Sequence, residues 1–245
     1  MTIHGWKTKF NEIRKEFGYS EKEDLISAKK LNLLLKRKNS KKEFENIIKD
    51  KTVFIIGAGP SLSKSLKHIK KSKNIIKIVA DGAVRALLEE NIKPDILVTD
   101  LDGDLESIKK IGKTQTPIIV HAHGDNSEKL EIVKNISNVM GTTQTKKFGK
   151  LENFGGFTDG DRCVFLAEYF NANKIVLIGM DFGQKIGKYS KHKVTNRKIK
   201  IKKLKFGKMI IEWFATKSKA ELYSTKRMKG YKTIRLIDLE SIENF

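Results

Sequence analysis

The sequence is poor in cysteine: its 245 residues include one, Cys163. A single thiol excludes an intrachain disulfide and suits a reducing compartment. It falls in an apolar stretch with helical spacing, which reads as a packing position. Long hydrophobic runs are also missing. No uninterrupted apolar stretch approaches the roughly 20 residues of a membrane span, and Met1 to Phe10 carry no apolar signal core. The expectation is a cytoplasmic protein with no membrane partner. Acidic residues are scarce beside basic ones, with 29 Asp+Glu against 50 Lys+Arg and a formal net charge of +21. That balance favours anionic partners such as nucleotides, nucleic acid or membrane surfaces. Lysines spread along most of the chain are equally a solubility feature, or the Lys- and Ile-rich background of heat-adapted proteins. No repeat and no heptad array is visible, so solenoids and coiled coils are set aside.

What is present is enough apolar matter for a core, 39% of residues, with 32% charged. The length allows one large domain with additions. Residues 1–50 read as an N-terminal helical extension. Ser20-Glu21-Lys22-Glu23 has the form of a capping box, Ser20 as N-cap and Glu23 reaching back. Leu25, Ala28, Leu31 and Leu35 follow on helical spacing. From Lys51 short apolar runs alternate with amphipathic stretches, the signature of βαβ units. Strands are predicted at Val53–Ile56, Ile75–Ala80, Ile96–Thr99, Ile118–Val120, Asn138–Met140 and Lys174–Ile178. Helices are predicted near Leu62–Lys70, Val84–Asn91, Glu128–Asn135 and Asp159–Phe170. Residues 51–183 thus form a Rossmann-like α/β domain, a parallel sheet with helices on both faces. Residues 184–245 form a small basic C-terminal region. Within it, Gln184–Lys208 reads as irregular chain, either a loop that orders on a ligand or a solvated connector. A helix over Met209–Ala215 and a strand over Thr233–Leu239 follow.

Ligands of open parallel sheets bind beyond the carboxyl ends of the strands, and here nearly every predicted strand ends in reactive or flexible residues. The first runs into Gly57-Ala58-Gly59-Pro60-Ser61. Its glycines permit close approach of a ligand, Pro60 suits a first helical turn, and Ser61 caps the helix or binds a phosphate. An ordinary strand-to-helix turn has the same residues, and no Walker A lysine follows. The second runs into Asp81-Gly82-Ala83, the fifth into Gly141-Thr142-Thr143 and the sixth into Gly179-Met180-Asp181. The third runs into Asp100-Leu101-Asp102-Gly103-Asp104. Alternation in extended chain points Asp100 and Asp102 to one side, and Gly103 permits a turn that brings Asp104 round. Carboxylates so crowded ask for a cation. Mg²⁺ takes oxygen ligands at about 2.0–2.1 Å, often carboxylates plus phosphates. A Ca²⁺ loop is excluded because its glycine and glutamate are misplaced; a plain polar turn is the alternative. The fourth strand runs into His121-Ala122-His123-Gly124-Asp125-Asn126, where Asp125 is a second candidate ligand. The histidines bind phosphate, assist proton removal, or are structural. Thr158-Asp159-Gly160-Asp161-Arg162 opens a helix in a capping pattern. It is also a clamp for a charged ligand, and Asp159 or Asp161 could pair with an amino-pyrimidine edge.

Together these segments, with Asn153-Phe154-Gly155-Gly156-Phe157 before Thr158, resemble the archaeal 6-hydroxymethyl-7,8-dihydropterin diphosphokinases of tetrahydromethanopterin biosynthesis. The resemblance runs from Val53 to Asp181. That family is similar in fold and logic to thiamine pyrophosphokinase. The resemblance implies transfer of the terminal diphosphoryl unit of ATP to the hydroxymethyl oxygen of a reduced pterin, with release of AMP. It implies Mg²⁺ on Asp100, Asp102 and Asp125, with Asp104 as a further ligand, and catalytic roles for this set with His121 and His123. Nucleotide contacts are expected from Gly57, Gly59, Pro60, Ser61, Asp81, Gly82, Thr142, Thr158 and Asp159. Substrate contacts are expected from Asn126, Asp161, Arg162 and Asp181. Phosphoryl transfer needs positioning and charge neutralisation, so Lys185–Lys208 is expected to close over the triphosphate. A homodimer is expected by analogy with similar diphosphokinases.

Two other functions compete. A broader family sharing the Gly-x-Gly-Pro-Ser turn and aspartate-ended strands includes enzymes that use nucleotide-activated sugars, and the small size of this chain argues for the diphosphokinase. A nucleic-acid-binding module would fit the pI of about 9.8. No such module is recognisable, and a strand-end aspartate cluster repels a phosphodiester backbone, so a nucleic-acid partner is not expected.

Overall fold

The computed structural model describes residues 3–36, 40–190, 196–228 and 231–245. Eight strands pair in parallel: β1 (Thr52–Ile56), β2 (Ile76–Ala80), β3 (Ile96–Thr99), β4 (Ile118–Ala122), β5 (Val139–Thr143), β6 (Lys174–Ile178), β7 (Glu221–Ser224) and β8 (Arg235–Leu236). Their order is β5-β4-β3-β2-β1-β6-β7-β8. From β1 the chain steps outward through β2 to β5, then crosses to the other side of β1 for β6. The strand order therefore reverses between β1 and β6, and a crevice opens at their carboxyl ends.

The strands are Ile- and Val-rich because both faces are covered. Alternate residues feed two cores. On one face α1 (Trp6–Phe17), α3 (Lys41–Ile48), α7 (Asp159–Tyr169) and α8 (Arg197–Ala215) pack Trp6, Phe44, Phe165 and Phe214 against Val53, Ile55, Ile175 and Leu177. On the other, α2 (Glu21–Leu34), α4 (Leu62–Lys71), α5 (Ala83–Glu89) and α6 (Leu105–Gly112) join a 3₁₀ segment over Gly124–Asn135. They pack Leu31, Leu62, Leu87 and Leu130 against Phe54, Ile56, Val176 and Ile178. Phe54, Phe165 and Phe214 are wholly buried, and each such burial contributes about 1.5–3 kcal/mol. Cys163 lies in the first core, where burial pushes its thiol well above the ordinary range; it is a packing residue. Among the described residues no helix is long and apolar enough to cross a membrane.

The predicted strands β1–β4 and β6 and the helix α7 form close to the expected boundaries, and the first fifty residues supply three helices. Several expectations are corrected. The segment expected to be irregular, 184–208, contains the first half of α8, which runs from Arg197 to Ala215. In that helix Gly207, Ile210, Ile211 and Phe214 are buried, and its lysines are exposed or half-buried. Residues 191–195 of that segment lie outside the described residues. The final strand is two residues long rather than seven, and β7 and α6 were not anticipated. The helix expected at Glu128–Asn135 is a 3₁₀ segment beginning at Gly124. Its opening Gly-Asp-Asn-Ser run competes for backbone hydrogen bonds and disfavours α-helix. On α2 the inward stripe begins with Asp24 and Ser27, and Leu25 is exposed.

Candidate active site

At the strand-order reversal the Gly57–Ser61 turn meets the Gly179–Asp181 turn. Gly59 N–H donates to Gly179 O at 2.7 Å. Ser61 donates to Asp181 Oδ2 from its N–H at 2.8 Å and from Oγ at 3.0 Å. A side chain on Gly59 would strike the Asp181 carboxylate and the Gly179 carbonyl, so glycine is what lets the two turns touch. Asp181 Oδ1 lies 2.9 Å from Lys226 Nζ, an ion pair off hydrogen-bond alignment. The positive end of α4 is thus already met by a carboxylate.

Asp81, Asp100 and Asp102 come together beside this point, their nearest carboxylate oxygens all within 4.8 Å of one another. β3 ends at Thr99, so strand alternation does not align Asp100 with Asp102. Leu101 does so by adopting a left-handed backbone, φ 65°, with its side chain fully buried. A branched residue in that conformation is strained, and the buried anchor holds it there. Asp102 N–H donates to Asp100 Oδ1 at 3.2 Å, and Leu101 N–H to Thr99 Oγ1 at 2.8 Å. Asp81, also at positive φ, accepts from Thr99 Oγ1 at 2.5 Å. A side chain on Gly103 would collide with the Asp81 carboxyl. Burial, then the Asp100 and Asp102 charges, hold the Asp81 carboxyl well above the ordinary range. Burial, then Asp100, Asp81 and Asp102, do the same to Asp159 at the start of α7. Asp81, Asp100 and Asp102 could together hold a cation, and Asp159 feels the charge of all three.

A cleft of about 180 Å³ extends from the switch point across this cluster to the ends of β4 and β5. Gly57, Gly59, Pro60, Asp81, Gly82, Asp100, Asp102, His123, Asp125, Thr158, Asp159, Arg162 and Asp181 line it. The other expected site residues lie behind it. Ser61 is held by Asp181. Asp104 caps α6, accepting from Ser107 N–H at 3.0 Å and Oγ at 2.5 Å. Asp161 caps α7, accepting from Phe157 N–H, from Thr158 N–H at 3.0 Å and from Thr158 Oγ1 at 2.9 Å; burial pushes its carboxyl up to about 6. Asn126 ties the loops together, donating to Asp100 O and His121 O, each at 2.7 Å.

The two histidines differ. His121 is buried, with Nδ1 3.1 Å from Thr142 Oγ1. Burial, then the charge of Arg162, hold its pKa well below the ordinary value, so the ring is neutral. His123 faces the cleft. Asp125 N–H donates to its Nδ1 at 3.2 Å, and its Nε2 lies 3.2 Å from Asp100 Oδ2. Asp125 itself is 65% exposed and 3.9 Å from the same ring.

Sequence reasoning missed one whole wall. Tyr19, Ser20, Glu23 and Asp24, from the α1–α2 junction, line the cleft with Gln144 and Phe157. Asp24 accepts from Gly124 N–H at 2.9 Å and Gln144 Nε2 at 2.7 Å. Gln144 Oε1 accepts from Arg162 Nη2 at 3.2 Å. Lys185 and, from α8, Lys200, Lys203 and Leu204 complete the lining. The polar start of α2's inward stripe is the signal that could have revealed this wall.

The chain matches, over residues 28–187, the protein family described as 6-hydroxymethylpterin diphosphokinase MptE-like. It is similar to proteins named 6-hydroxymethyl-7,8-dihydropterin pyrophosphokinase from three archaea. The Methanocaldococcus jannaschii protein is 43% identical over 238 residues, covering 90% of this chain and 99% of that one. The Pyrococcus furiosus protein is 42% identical, covering 91% and 98%. The Methanothermobacter thermautotrophicus protein is 37% identical, covering 87% and 95%. In structure the chain is similar to the MAf glycosyltransferase of Magnetospirillum magneticum, with TM-score 0.58 and 14% identity. That alignment covers 89% of this chain and 39% of the glycosyltransferase. At that identity the likeness is one of fold alone.

Proposed function

The chain belongs to the MptE-like 6-hydroxymethylpterin diphosphokinase family, and from that premise we propose that it transfers diphosphate from ATP to the hydroxymethyl oxygen of 6-hydroxymethyl-7,8-dihydropterin, releasing AMP. The alcohol oxygen bonds to the β-phosphorus, the bond from that phosphorus to the α–β bridging oxygen breaks, and the alcohol proton is lost. The observation that carries this reading is the Asp81–Asp100–Asp102 cluster inside the cleft at the strand-order reversal. Its donors are all carboxylate oxygens, the hard ligand set that suits Mg²⁺. Asp81, Asp100 and Asp102 would hold the ion, which when bound neutralises phosphate charge.

The chain's own groups do the rest. The Gly57–Pro60 turn and Gly82 offer a close surface for the nucleoside. Arg162, Lys185, Lys200 and Lys203 supply positive charge around the phosphates, which gives part of the net charge a use. His123, with both ring nitrogens engaged, holds Asp100 in place and is a positioning residue. A loose phosphoryl-transfer transition state demands little of a general base, so the engagement of both His123 ring nitrogens is no obstacle.

The reading is tested by anion-exchange chromatography after incubation with Mg·ATP, with and without the pterin. AMP that forms only with the pterin, in equal amount with a pterin diphosphate, supports it. Asp102→Asn should lower kcat at least about 10³-fold, some 4 kcal/mol. ATP consumed without a pterin product would refute it.

A further inference from the structure

The capping box expected at Ser20–Glu23 forms only by half. Ser20 Oγ accepts from Glu23 N–H at 3.3 Å, but the Glu23 carboxylate does not reach back. It lines the cleft and has no hydrogen-bond or ion-pair partner among the described residues. Room for it comes from Gly124: a Cβ there would lie 3.0 Å from Glu23 Cβ and 3.4 Å from its Oε2. The other carboxylates lining the cleft are committed. Asp81, Asp100 and Asp102 crowd one another, and their charges act on Asp159. Both oxygens of Asp24 accept hydrogen bonds, Asp181 holds Ser61 and Lys226, and Asp125 is paired with His123, 3.9 Å from its Nδ1; Glu23, exposed at the cleft rim, has no such commitment. Next to Glu23, Tyr19 and Phe157 give the cleft an apolar wall, their ring centroids 6.2 Å apart, backed by Phe17 and Phe206.

We propose that this wall is the acceptor subsite, and that the Glu23 carboxylate reads the aminopyrimidinone edge of the substrate. The assignment rests on the diphosphokinase reading above. That edge presents two parallel donors, the ring N–H and the exocyclic amino group, and a carboxylate presents two parallel acceptors. The planar bicycle packs on the rings of Tyr19 and Phe157. The edge and the hydroxymethyl group lie at opposite ends of the bicycle, so anchoring the edge at α2 turns the alcohol toward the acid cluster. Asp24 sets the docking of α2 on the Gly124 loop and thereby the position of Glu23. The N-terminal helices, on this account, carry substrate specificity.

The test uses wild type, Glu23→Gln and Glu23→Ala. Two substrates are compared: the dihydropterin alcohol and its analogue with a carbonyl oxygen in place of the amino group. In Glu23→Gln the pterin KM should rise about 10- to 100-fold, the loss of charge-assisted hydrogen bonds, while the ATP KM stays within about twofold. Wild type should reject the analogue, because its carbonyl faces the carboxylate, and both variants should lose most of that discrimination. A merely structural Glu23 would lower the melting temperature and leave discrimination intact. An unchanged pterin KM with discrimination retained overturns the assignment. If wild type itself makes no pterin diphosphate, the diphosphokinase reading has failed first, and the two failures are thus told apart.

Discussion

At the scale of residues the site is a concentration of unfavourable choices that a ligand would relieve. Leu101 is held at positive φ, and Asp81 is buried against two other aspartates. Replacing that carboxyl by a neutral amide should therefore stabilise the metal-free protein. Asp81→Asn, measured by scanning calorimetry in chelator, should raise the melting temperature by about 2–4 °C, the worth of about 1 kcal/mol in a chain of this size, while turnover falls. His121 gives a pH signature. Its folded pKa lies well below the ordinary value, so below about 6.5 the unfolded chain binds a proton that the folded chain refuses. Its contribution to stability is complete above that pH and is lost as pH falls toward the folded pKa, at up to about 1.4 kcal/mol per pH unit. Urea unfolding at pH 7.5 and 5.5 should show wild type losing more stability than His121→Gln; equal losses would contradict a buried neutral ring. Asp100, Asp102, Asp159 and Arg162 were legible in the sequence because each sits at a strand end or helix start. Glu23 and Asp24 were not: in the sequence a local capping pattern accounts for Glu23, and the approach of both to Gly124 is a contact across about 100 residues.

At the scale of elements, the parallel strands were readable because strands buried on both faces are continuous apolar runs bounded by polar turns. Of α8 only the end was, as the helix expected over Met209–Ala215; the lysine-rich stretch from Arg197 to Lys208 has the composition of a solvated loop and is helical nonetheless. The turn after β1 shows that a ligand-like glycine pattern also has a structural cause. Gly59→Ala would place a methyl group against the 179–181 turn, costing about 1–3 kcal/mol, the range for overpacking. Chemical denaturation should register that loss; a neutral result would mean that the two turns are not in contact.

At the scale of the whole molecule, the N-terminal helices, the sheet and the C-terminal segment share two cores, and we expect them to unfold together. The two tryptophans report on this directly. Trp6 of α1 and Trp213 of α8 have ring centroids 6.1 Å apart, so their fluorescence senses the junction of the two ends of the chain. Its urea transition should coincide with the far-ultraviolet dichroism of the sheet and helices, as two-state unfolding requires; separate transitions would mean independent units. The central claim is that one cleft, built by all three regions around an aspartate cluster, moves a diphosphate. A ³¹P NMR time course with Mg·ATP and 6-hydroxymethyl-7,8-dihydropterin tests it most directly. The account predicts AMP and a pterin diphosphate rising together in wild type and absent in Asp100→Asn. Appearance of ADP, or no turnover by folded wild-type protein, would contradict it.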